Sequence, residues 1–307
     1  MPKVIVVCGP TASGKTALSI ELAKKVNGEI VSADSMQIYR EMNIGTAKPT
    51  KDEQNEAPHH MIDVADPGEN YSVARYAQEA SIIVDNILSK GKVAIICGGT
   101  GLYINALING TSFAESGENN GIRNLLEQLY IDKGASQMLK ELSCVDPDTA
   151  AKLHVNDKKR IIRALEVYIT TGETISEHNR RSKLIKPRYD AVFIGITPND
   201  RKVLYNRIDR RVDLMFKQGL EKEVRTLYDS GKLLGTASQA IGYKEMLRYI
   251  HGEISIDDAS ELIKQKSRNY AKRQLTWFKN DERVNWIEYS DSENIASLCQ
   301  KATSFIL

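Results

Sequence analysis

Features that would assign this 307-residue chain to a membrane, secreted or metal-binding class are missing. No apolar run is long enough to cross a bilayer, and strand-like sequence begins within three residues of Met1, so we expect no signal peptide. The cysteines lie far apart and have neither CxxC nor metal-ligand spacing; they are Cys8, Cys97, Cys144 and Cys299. These absences predict a cytoplasmic protein with reduced thiols and no membrane anchor.

An excess of one charge is also missing overall, because the net charge is only +2. This small value hides a segregation: residues 156–211 contain 14 Lys and Arg against 7 Asp and Glu, whereas residues 1–155 contain 14 against 19. A basic middle segment predicts a face that binds a polyanion. A solvated, highly charged helix would have the same composition, and the charge pattern alone leaves that alternative open.

Residues 9–16 fit the phosphate-loop pattern, in which a glycine-rich turn leads from a strand into a helix. The β-branched run 4–8 precedes the turn, and apolar residues recur at helical spacing after it. Backbone N–H groups and the helix dipole would hold the diphosphate part of a ligand, by default a nucleoside triphosphate. Lys15 would add a positive charge and Thr16 a hydroxyl ligand for Mg²⁺. The predicted phosphate-binding residues are Gly9, Pro10, Thr11, Ala12, Ser13, Gly14, Lys15 and Thr16.

The next two predicted strands of the sheet also end in chemically distinctive residues. Strand 29–33 ends at Asp34, and ligands of open α/β sheets bind beyond the carboxyl ends of the strands. The Asp34 carboxylate would therefore hold Mg²⁺ or act as a base, unless it only caps a helix. Strand 93–97 runs into a second glycine turn, Gly98-Gly-Thr-Gly101. That turn would grip the same ligand or, alternatively, only pack a strand tightly against a helix.

The alternation of strands and helices predicts an α/β fold, a P-loop-type parallel sheet flanked by helices and interrupted by an α-helical subdomain. Residues 1–111 and 188–307 would form the core domain, and residues 112–187 the insertion. Within the core we also predict a short strand over residues 61–64 and a helix with Pro49 in its first turn.

Two further segments carry cations that suit phosphate or RNA binding. Arg207 and Arg211 lie one helical turn apart, so the pair could clamp phosphates from the side opposite the phosphate loop. Residues 268–279 interleave cations with aromatic side chains, a mixture that suits single-stranded RNA. Aromatic residues at helical spacing are also typical of a hydrophobic core, so both interpretations stay open.

The ordered set of sequence blocks resembles the bacterial tRNA dimethylallyltransferases, the IPP transferase family. Besides the phosphate loop, the blocks are Asp34-Ser-Met-Gln37, Gly45-Thr-Ala-Lys-Pro49, Gly98-Gly-Thr100 with Tyr103, Asn156-Asp157 with Arg160, Arg163-Ala-Leu-Glu166, Ile241-Gly-Tyr243 and Ala271-Lys-Arg-Gln-Leu-Thr-Trp277. The resemblance covers essentially the whole chain. Single blocks are weak signals apart from the phosphate loop, but their order is specific.

The resemblance implies transfer of a dimethylallyl group from dimethylallyl diphosphate to N6 of adenosine 37, beside the tRNA anticodon, with Mg²⁺ assisting the release of diphosphate. It implies catalytic roles for Asp34, Arg211 and Thr100 and places Arg160 beside the diphosphate. We expect an enzyme that acts as a monomer. The phosphate loop would then hold an allylic diphosphate instead of ATP. The tRNA-binding residues would be Asp34, Ser35, Met36, Gln37, Thr100, Arg123, Lys158, Lys159, Arg160, Arg163, Arg180 and Arg181.

Two other functions share part of these features. An ATP-dependent kinase for a small molecule would use the phosphate loop, the sheet and Asp34, but it has no need of the basic segment. A non-enzymatic, RNA-binding NTPase switch would use the loop and the basic segment, but it would form no covalent product. We expect the transferase and keep the kinase as the alternative.

Overall fold

Parallel strands form the centre of the larger part of the molecule, seen here in a computed structural model that describes residues 4–110, 120–184 and 186–306. Within those residues one six-stranded sheet contains β1 (Val4–Cys8), β2 (Gly28–Ser32), β3 (His59–His60), β4 (Val93–Gly98), β5 (Ala191–Pro198) and β6 (Val284–Tyr289). The order across the sheet is β3-β2-β4-β1-β5-β6, and every neighbouring pair is parallel. This arrangement confirms the predicted α/β fold class.

The chain divides into two compact units. The first, which we call the core unit, comprises Met1–Gly110 and Arg188–Leu307, and the second, the insertion unit, comprises Thr111–Pro187. The domain boundary predicted at residues 111–112 lies outside the described residues. No helix in the described part of the chain is long and apolar enough to cross a membrane.

Helices cover both faces of the core sheet. They are α1 (Lys15–Val26), α2 (Lys51–Glu56), α3 (Val73–Ser89), α4 (Gly101–Asn109), α10 (Arg201–Gln218), α11 (Leu220–Asp229), α12 (Tyr243–Ile250), α13 (Ile256–Lys279) and α14 (Ile295–Thr303). One hydrophobic core lies between the sheet and α1 and α14, and a second lies under α3, α4 and α10–α13. The central strand β1 faces both cores, since Val4 and Val6 point into one and Ile5 and Val7 into the other. This explains its unbroken apolar sequence.

The insertion unit is entirely helical in its described part. Its helices are α5 (Asn120–Lys133), α6 (Ala135–Val145), α7 (Pro147–Ala150), α8 (Lys158–Thr171) and α9 (Ile175–Leu184). Leu126, Met138, Leu142 and Ile161 are buried in a core of its own. Each such fully buried aliphatic side chain contributes about 2 kcal/mol of hydrophobic stabilisation. Helix α9 was not predicted, because its sequence is polar and shows little helical periodicity.

Two local predictions in the core unit are wrong. Residues 61–64 do not form a strand, because Met61 and Asp63 have φ values of 60° and 58°, which an extended chain does not allow. The strand lies just before them, at His59–His60, and the His60 ring is hydrogen bonded to Glu29 at 2.7 Å. Helix α2 begins at Lys51 behind a capping box on Thr50, so the predicted proline of the first turn lies before the helix.

Candidate active site

The phosphate loop joins β1 to α1 at the carboxyl edge of the sheet. Gly9 has a φ of +141°, and a Cβ atom there would lie 2.4 Å from the carbonyl oxygen of Ile196, so the backbone needs glycine. Ala12 and Gly14 have φ values of 62° and 88°, which curl the loop before Lys15 begins the helix. The loop therefore ends at a helix N-terminus, where free N–H groups attract anions.

Side chains from distant parts of the core unit support this loop. The N–H of Thr11 donates to Oε1 of Gln274 at 2.8 Å, and the hydroxyl of Tyr289 donates to the carbonyl oxygen of Ser13 at 2.7 Å. The Ser13 side chain is buried, and its hydroxyl has no partner among the described residues. Inside the loop, Nζ of Lys15 donates to the carbonyl oxygen of Pro10 at 2.7 Å. The loop is thus held in shape from outside.

A cavity of about 970 Å³ opens beside the loop, within the core unit. It is large enough for a substrate of nucleotide or prenyl diphosphate size. The residues that give it chemical character include Lys15, Thr16, Asp34, Gln37, Arg211 and Gln274. The structure therefore brings the phosphate loop, Asp34 and Arg211 to one cavity.

Of the cations that line this cavity, Lys15, Arg211 and the exposed Lys51 lack a carboxylate within ion-pair distance among the described residues. Burial lowers the pKa of Lys15, and the positive charge of Arg211 lowers it further. Burial likewise lowers the pKa of the Arg211 guanidinium. Lys48 lines the same cavity but is already neutralised, because its Nζ lies 2.5 Å from Oδ1 of Asp63. Two half-buried cations, Lys15 and Arg211, without an ion-pair partner among the described residues favour the binding of a multiply charged anion.

A second cavity of about 280 Å³ adjoins the first. Both cavities are lined by Thr11, Asp34, Thr46, Ala47, Arg211, Met215 and Tyr270. The rest of the smaller wall is largely apolar and includes Met36, Ile208, Val212, Ile241 and Ile263. Asp34 and Arg211 therefore lie where the two cavities meet.

The two carboxylate oxygens of Asp34 differ: one accepts hydrogen bonds from the backbone, and the other is available to a ligand. Oδ1 accepts the N–H groups of Met36 and Gln37 at 2.9 and 3.4 Å, whereas Oδ2 accepts no hydrogen bond from the described residues. Burial raises the pKa of Asp34, although these two N–H groups and Lys15 act in the opposite direction. Asp34 therefore caps a turn and not a helix, and it faces the cavities, while its role as a Mg²⁺ ligand or a base stays a prediction.

Thr100 and Gln37 shape the segment that carries Asp34. The N–H of Ser35 donates to Oγ1 of Thr100 at 3.1 Å, and Nε2 of Gln37 donates to the carbonyl oxygens of Thr46 and Ala47 at 3.3 and 3.2 Å. Thr100 is not among the residues that line either cavity, but it contacts two residues that do, Ser35 and Tyr270. Its predicted catalytic role stays a prediction.

The second glycine turn is explained by close packing. A Cβ atom on Gly98 would lie 2.2 Å from the carbonyl oxygen of Ala33, and one on Gly101 would lie 2.1 Å from Nε1 of Trp277. Neither glycine is free to carry a side chain. Of the two interpretations of this turn, the geometry favours packing, although Gly98 also borders the larger cavity.

The other basic and aromatic residues of the core unit that were predicted to bind phosphate or RNA differ in whether they reach the cavities. Arg207 lines neither cavity, because its guanidinium contacts Asp291 at 2.6 Å and the Tyr289 hydroxyl at 2.7 Å. The suggested clamp of two arginines is therefore wrong, and only Arg211 reaches the site. Tyr270 lines both cavities, and burial together with the Asp34 charge raises the pKa of its hydroxyl to about 12.

The aromatic residues at the end of α13 do not share one environment. Phe278 is buried in the core, whereas the Trp277 side chain is 46% exposed. Arg268, which opens this segment, lies 2.5 Å from Oδ1 of Asp209. The segment is therefore partly core and partly surface, and neither sequence interpretation describes all of it.

The predicted RNA-binding residues of the insertion unit differ in how much of their charge is free. Arg123 and Arg163 lie 4.0 and 3.0 Å from the buried carboxylate of Glu166. Arg181 lies 2.8 Å from Glu173, and the Nζ atom of Lys158 lies 5.3 Å from the centre of the Tyr130 ring. Lys159, Arg160 and Arg180 are exposed and have no carboxylate within ion-pair distance among the described residues. Their contacts with tRNA, and that of Arg160 with diphosphate, stay predictions.

The core unit offers oxygen ligands that would suit Mg²⁺. The Thr16 hydroxyl in the first turn of α1 and the carboxylate of Asp34 line the same cavity, and Oδ2 of Asp34 is not engaged by the described residues. Mg²⁺ prefers oxygen ligands and commonly takes only one or two from the protein, the others coming from water and substrate phosphate. These residues fit the ion.

Comparisons with known proteins agree with this geometry. Residues 37–281 match the family model described as IPP transferase. The chain belongs to the IPP transferase family. It is 49% identical to a tRNA dimethylallyltransferase of Acetivibrio thermocellus, over 96% of this chain and 95% of that one, and 48% identical to one of Bacillus cytotoxicus, over 96% and 93%. The resemblance seen in the sequence is thereby confirmed.

Solved structures of this family have the same fold. A tRNA isopentenylpyrophosphate transferase of Bacillus halodurans matches with a TM-score of 0.73 and 40% identity, covering all of this chain and 97% of that one. A eukaryotic dimethylallyltransferase, described as acting on tRNA, matches with a TM-score of 0.83 and 30% identity, covering all of this chain and 80% of that one.

Sequence reasoning missed several residues that build this IPP transferase site. Gln274 was noticed only as part of a sequence block, yet its amide contacts the phosphate loop. Glu223, which was not noticed, accepts the N–H groups of Asn43, Ile44 and Gly45. Their partners are remote in sequence, so no local pattern could have identified them.

Proposed function

We propose that this enzyme transfers the dimethylallyl group of dimethylallyl diphosphate to N6 of adenosine 37 in tRNA. The observation that carries the proposal is that two cavities meet at Asp34 and Arg211. Oδ2 of Asp34 is available there, and Lys15 and Arg211 have no ion-pair partner among the described residues. The names of the relatives, which act on tRNA or transfer prenyl groups to it, support the same reaction.

In this proposal the donor occupies the larger cavity, with its diphosphate on the phosphate loop. The bond between C1 of the prenyl group and the diphosphate oxygen breaks, and the electron pair leaves with the diphosphate. Lys15 and Arg211 then face a growing negative charge at a site where burial makes their charges effective. Mg²⁺ held by the Thr16 hydroxyl would supply further neutralisation of that charge and would leave Oδ2 of Asp34 available.

The acceptor base occupies the smaller cavity, whose apolar wall suits a planar ring turned out of an RNA loop. Adenine N6 is a weak nucleophile because its lone pair is delocalised into the ring. As the bond from N6 to C1 forms, the N6 proton passes to Oδ2 of Asp34, whose raised pKa makes it a better proton acceptor than an exposed aspartate. Ser35 and Met36 line this cavity, and Gln37, which lines the larger one, is a further predicted contact of the base.

Binding of the rest of the tRNA is assigned to cations of the insertion unit. Lys159, Arg160 and Arg180 are exposed on helices α8 and α9. Such charges bind the RNA backbone without reading its sequence. We also propose that the enzyme acts as a monomer, since one chain lines both cavities, and that it works in the cytoplasm, where tRNA is found.

The reaction is tested by incubating the protein with dimethylallyl diphosphate, Mg²⁺ and unmodified tRNA, followed by mass spectrometry of the digested nucleosides. We expect adenosine to gain the mass of one dimethylallyl group, and fragments of the tRNA to place it at position 37. A parallel reaction with labelled ATP tests the kinase alternative. Phosphate transfer to a small acceptor, with unmodified tRNA, would reject the proposed function.

A further inference from the structure

Gln274 joins the two glycine turns of the site from the C-terminal part of α13. Its Oε1 accepts the N–H of Thr11 in the phosphate loop at 2.8 Å, and its Nε2 donates to the carbonyl oxygen of Gly99 at 3.0 Å. The side chain is only 5% exposed. The two turns follow the neighbouring strands β1 and β4, so this one amide links the carboxyl ends of both strands.

The local structure fits this amide closely. A Cβ atom on Gly99 would lie 2.0 Å from Nε2 of Gln274, so the contact requires glycine at position 99. One partner is an N–H group and the other is a carbonyl oxygen. An amide can accept from the first and donate to the second, whereas a carboxylate can only accept and a thioether does neither well.

The bond to Thr11 also has a consequence for anion binding. Because the Thr11 N–H is directed to Gln274, this amide is not free for a ligand, and the orientation of the loop at that point is set by α13. The same helix carries Tyr270 one turn earlier, which lines both cavities. Helix α13 therefore supports the phosphate loop and at the same time forms part of the wall.

We propose that Gln274 is a positioning residue that holds the phosphate loop in its anion-binding shape by fastening it to the second glycine turn. It acts through the loop and does not touch the reacting atoms. The inference rests on the proposed function only in taking the loop's ligand to be a diphosphate. Preorganised amides bind an anion more tightly than amides that must first be ordered.

The test compares Gln274→Met with wild type in calorimetric titrations with inorganic diphosphate and with dimethylallyl diphosphate, both in the presence of Mg²⁺ and without tRNA. Methionine has a similar shape but cannot make either hydrogen bond. We expect about ten-fold weaker binding of both ligands. Gln265→Met, the same substitution at an exposed position of α13, is the matched control and should bind like wild type.

Gln274→Glu adds a second readout, the pH dependence of diphosphate binding, which would not change if Gln274 had only a structural role. A protonated glutamic acid can replace the amide, because it accepts from Thr11 and donates to Gly99, but the ionised form cannot donate. Burial and the facing carbonyl oxygen should raise the pKa of the introduced carboxyl group. The ratio of variant to wild-type dissociation constants should therefore fall toward one between pH 8.5 and pH 5.5, whereas the ratio for Gln274→Met stays constant.

Phe278→Leu is the control for weaker binding caused by general destabilisation, because it makes a buried side chain on the same helix smaller and leaves both hydrogen bonds of Gln274 in place. The inference is overturned if Phe278→Leu weakens diphosphate binding as much as Gln274→Met, if Gln274→Met binds like wild type, or if the Gln274→Glu ratio does not change with pH. Wild type that binds diphosphate but modifies no tRNA would reject the proposed function and leave the role of Gln274 intact.

Discussion

At the scale of single residues, the site keeps three half-buried charges that a stable fold would avoid. Lys15 and Arg211 are half-buried without an ion-pair partner among the described residues, and Asp34 is half-buried beside them. The desolvation cost of each charge is larger than the stabilisation from its hydrogen bonds and neighbours. The pKa values of the two cations are therefore lowered and that of Asp34 is raised, so that the neutral form of each group is favoured. Such shifted pKa values are typical of functional sites.

Replacing Asp34 by asparagine should therefore stabilise the protein at neutral pH. A carboxyl group whose pKa is raised by folding makes the folded state bind more protons, so stability falls as pH rises from the ordinary aspartate pKa to the raised one. Above that window the charged group destabilises the fold. Asparagine removes this charge while Oδ1 can still accept from Met36 and Gln37.

The prediction is checked by thermal unfolding of wild type and Asp34→Asn at pH 4 and pH 7.5. The melting temperature of the variant should exceed that of wild type at pH 7.5, and the difference should shrink at pH 4. Asp229→Asn, at the exposed end of α11, is the control and should show no such difference. A variant less stable than wild type at pH 7.5 would contradict the inferred cost of burying Asp34.

Arg211 should be needed for the departure of the diphosphate. Arg211→Gln removes a buried charge from the junction of the cavities, and loss of one such stabilising group commonly lowers turnover by about 100-fold or more. Steady-state kinetics with varied dimethylallyl diphosphate provide the measurement. Arg210→Gln changes the exposed neighbour on α10 and should leave the response to the donor unchanged. Equal kinetics for the two variants would exclude the proposed role of Arg211.

At the scale of elements, the walls of the site depend on contacts between segments far apart in sequence. Glu223 of α11 accepts the N–H groups of Asn43, Ile44 and Gly45 at 2.8–3.1 Å, and its Oε1 also accepts the hydroxyl of Tyr243 at 2.6 Å. The segment that follows, residues 46–51, lines the larger cavity. One carboxylate thus fastens a loop of the active site to α11 and α12.

Loss of this anchor should cost stability as well as activity. Glu223→Ala leaves several backbone N–H groups without their charged acceptor, which should lower the free energy of unfolding by about 2–4 kcal/mol. Urea unfolding measures the change. Glu221→Ala is the control on the same helix, since Glu221 pairs with Arg225 on the surface, an interaction of about 0.5 kcal/mol or less. Similar losses in both variants would show that Glu223 is not an anchor.

The elements that sequence predicted correctly have local causes. The run from Val4 to Cys8 and the glycine-rich turn after it indicate a strand and a loop without reference to the rest of the chain. Helix α3 has a periodic apolar face and Ser72 as its N-cap, and both are visible in the sequence. The strand predicted at residues 61–64 failed because its backbone is fixed by neighbouring segments: Val64 donates its N–H to Ile38, for example.

The site residues that could be predicted from the sequence are those that a local pattern or a family motif associates with a known chemical role. Lys15, Asp34 and Arg211 were identified from a motif, from a strand end and from the family resemblance, and they do lie around one cavity. Gln274 and Glu223 could not be identified in this way, because a glutamine or a glutamate in a helix is usually a surface residue. Their importance comes from tertiary contacts with Thr11 and with the loop 43–45.

At the scale of the whole molecule, charge is distributed so that the basic segment falls largely in the insertion unit and in helix α10. Arg180 and Arg181 lie on α9, and Arg180 is exposed while Arg181 contacts Glu173. If these side chains bind RNA phosphates, they release counterions when the complex forms, and affinity should fall steeply with salt.

Charge reversal of both residues, Arg180→Glu with Arg181→Glu, should weaken tRNA binding and make the salt dependence shallower. Each lost phosphate contact reduces the slope of log affinity against log salt by about one. Filter binding over a range of salt concentrations gives both quantities. The control reverses Lys25 and Lys90, two exposed lysines of the core unit, and should change neither. Unchanged affinity of the α9 variant for tRNA would show that Arg180 and Arg181 are solvent-exposed charges that do not bind it.

The most direct measurement is the single-turnover rate of dimethylallyl adenosine formation in unmodified tRNA, for wild type and for Asp34→Asn. Dissociation constants for the tRNA and for inorganic diphosphate are measured on the same preparations. If Asp34 accepts the N6 proton where the two cavities meet, the variant should bind both ligands nearly as wild type but react about 100- to 10,000-fold more slowly. A rate close to that of wild type would show that the chemistry does not take place at Asp34.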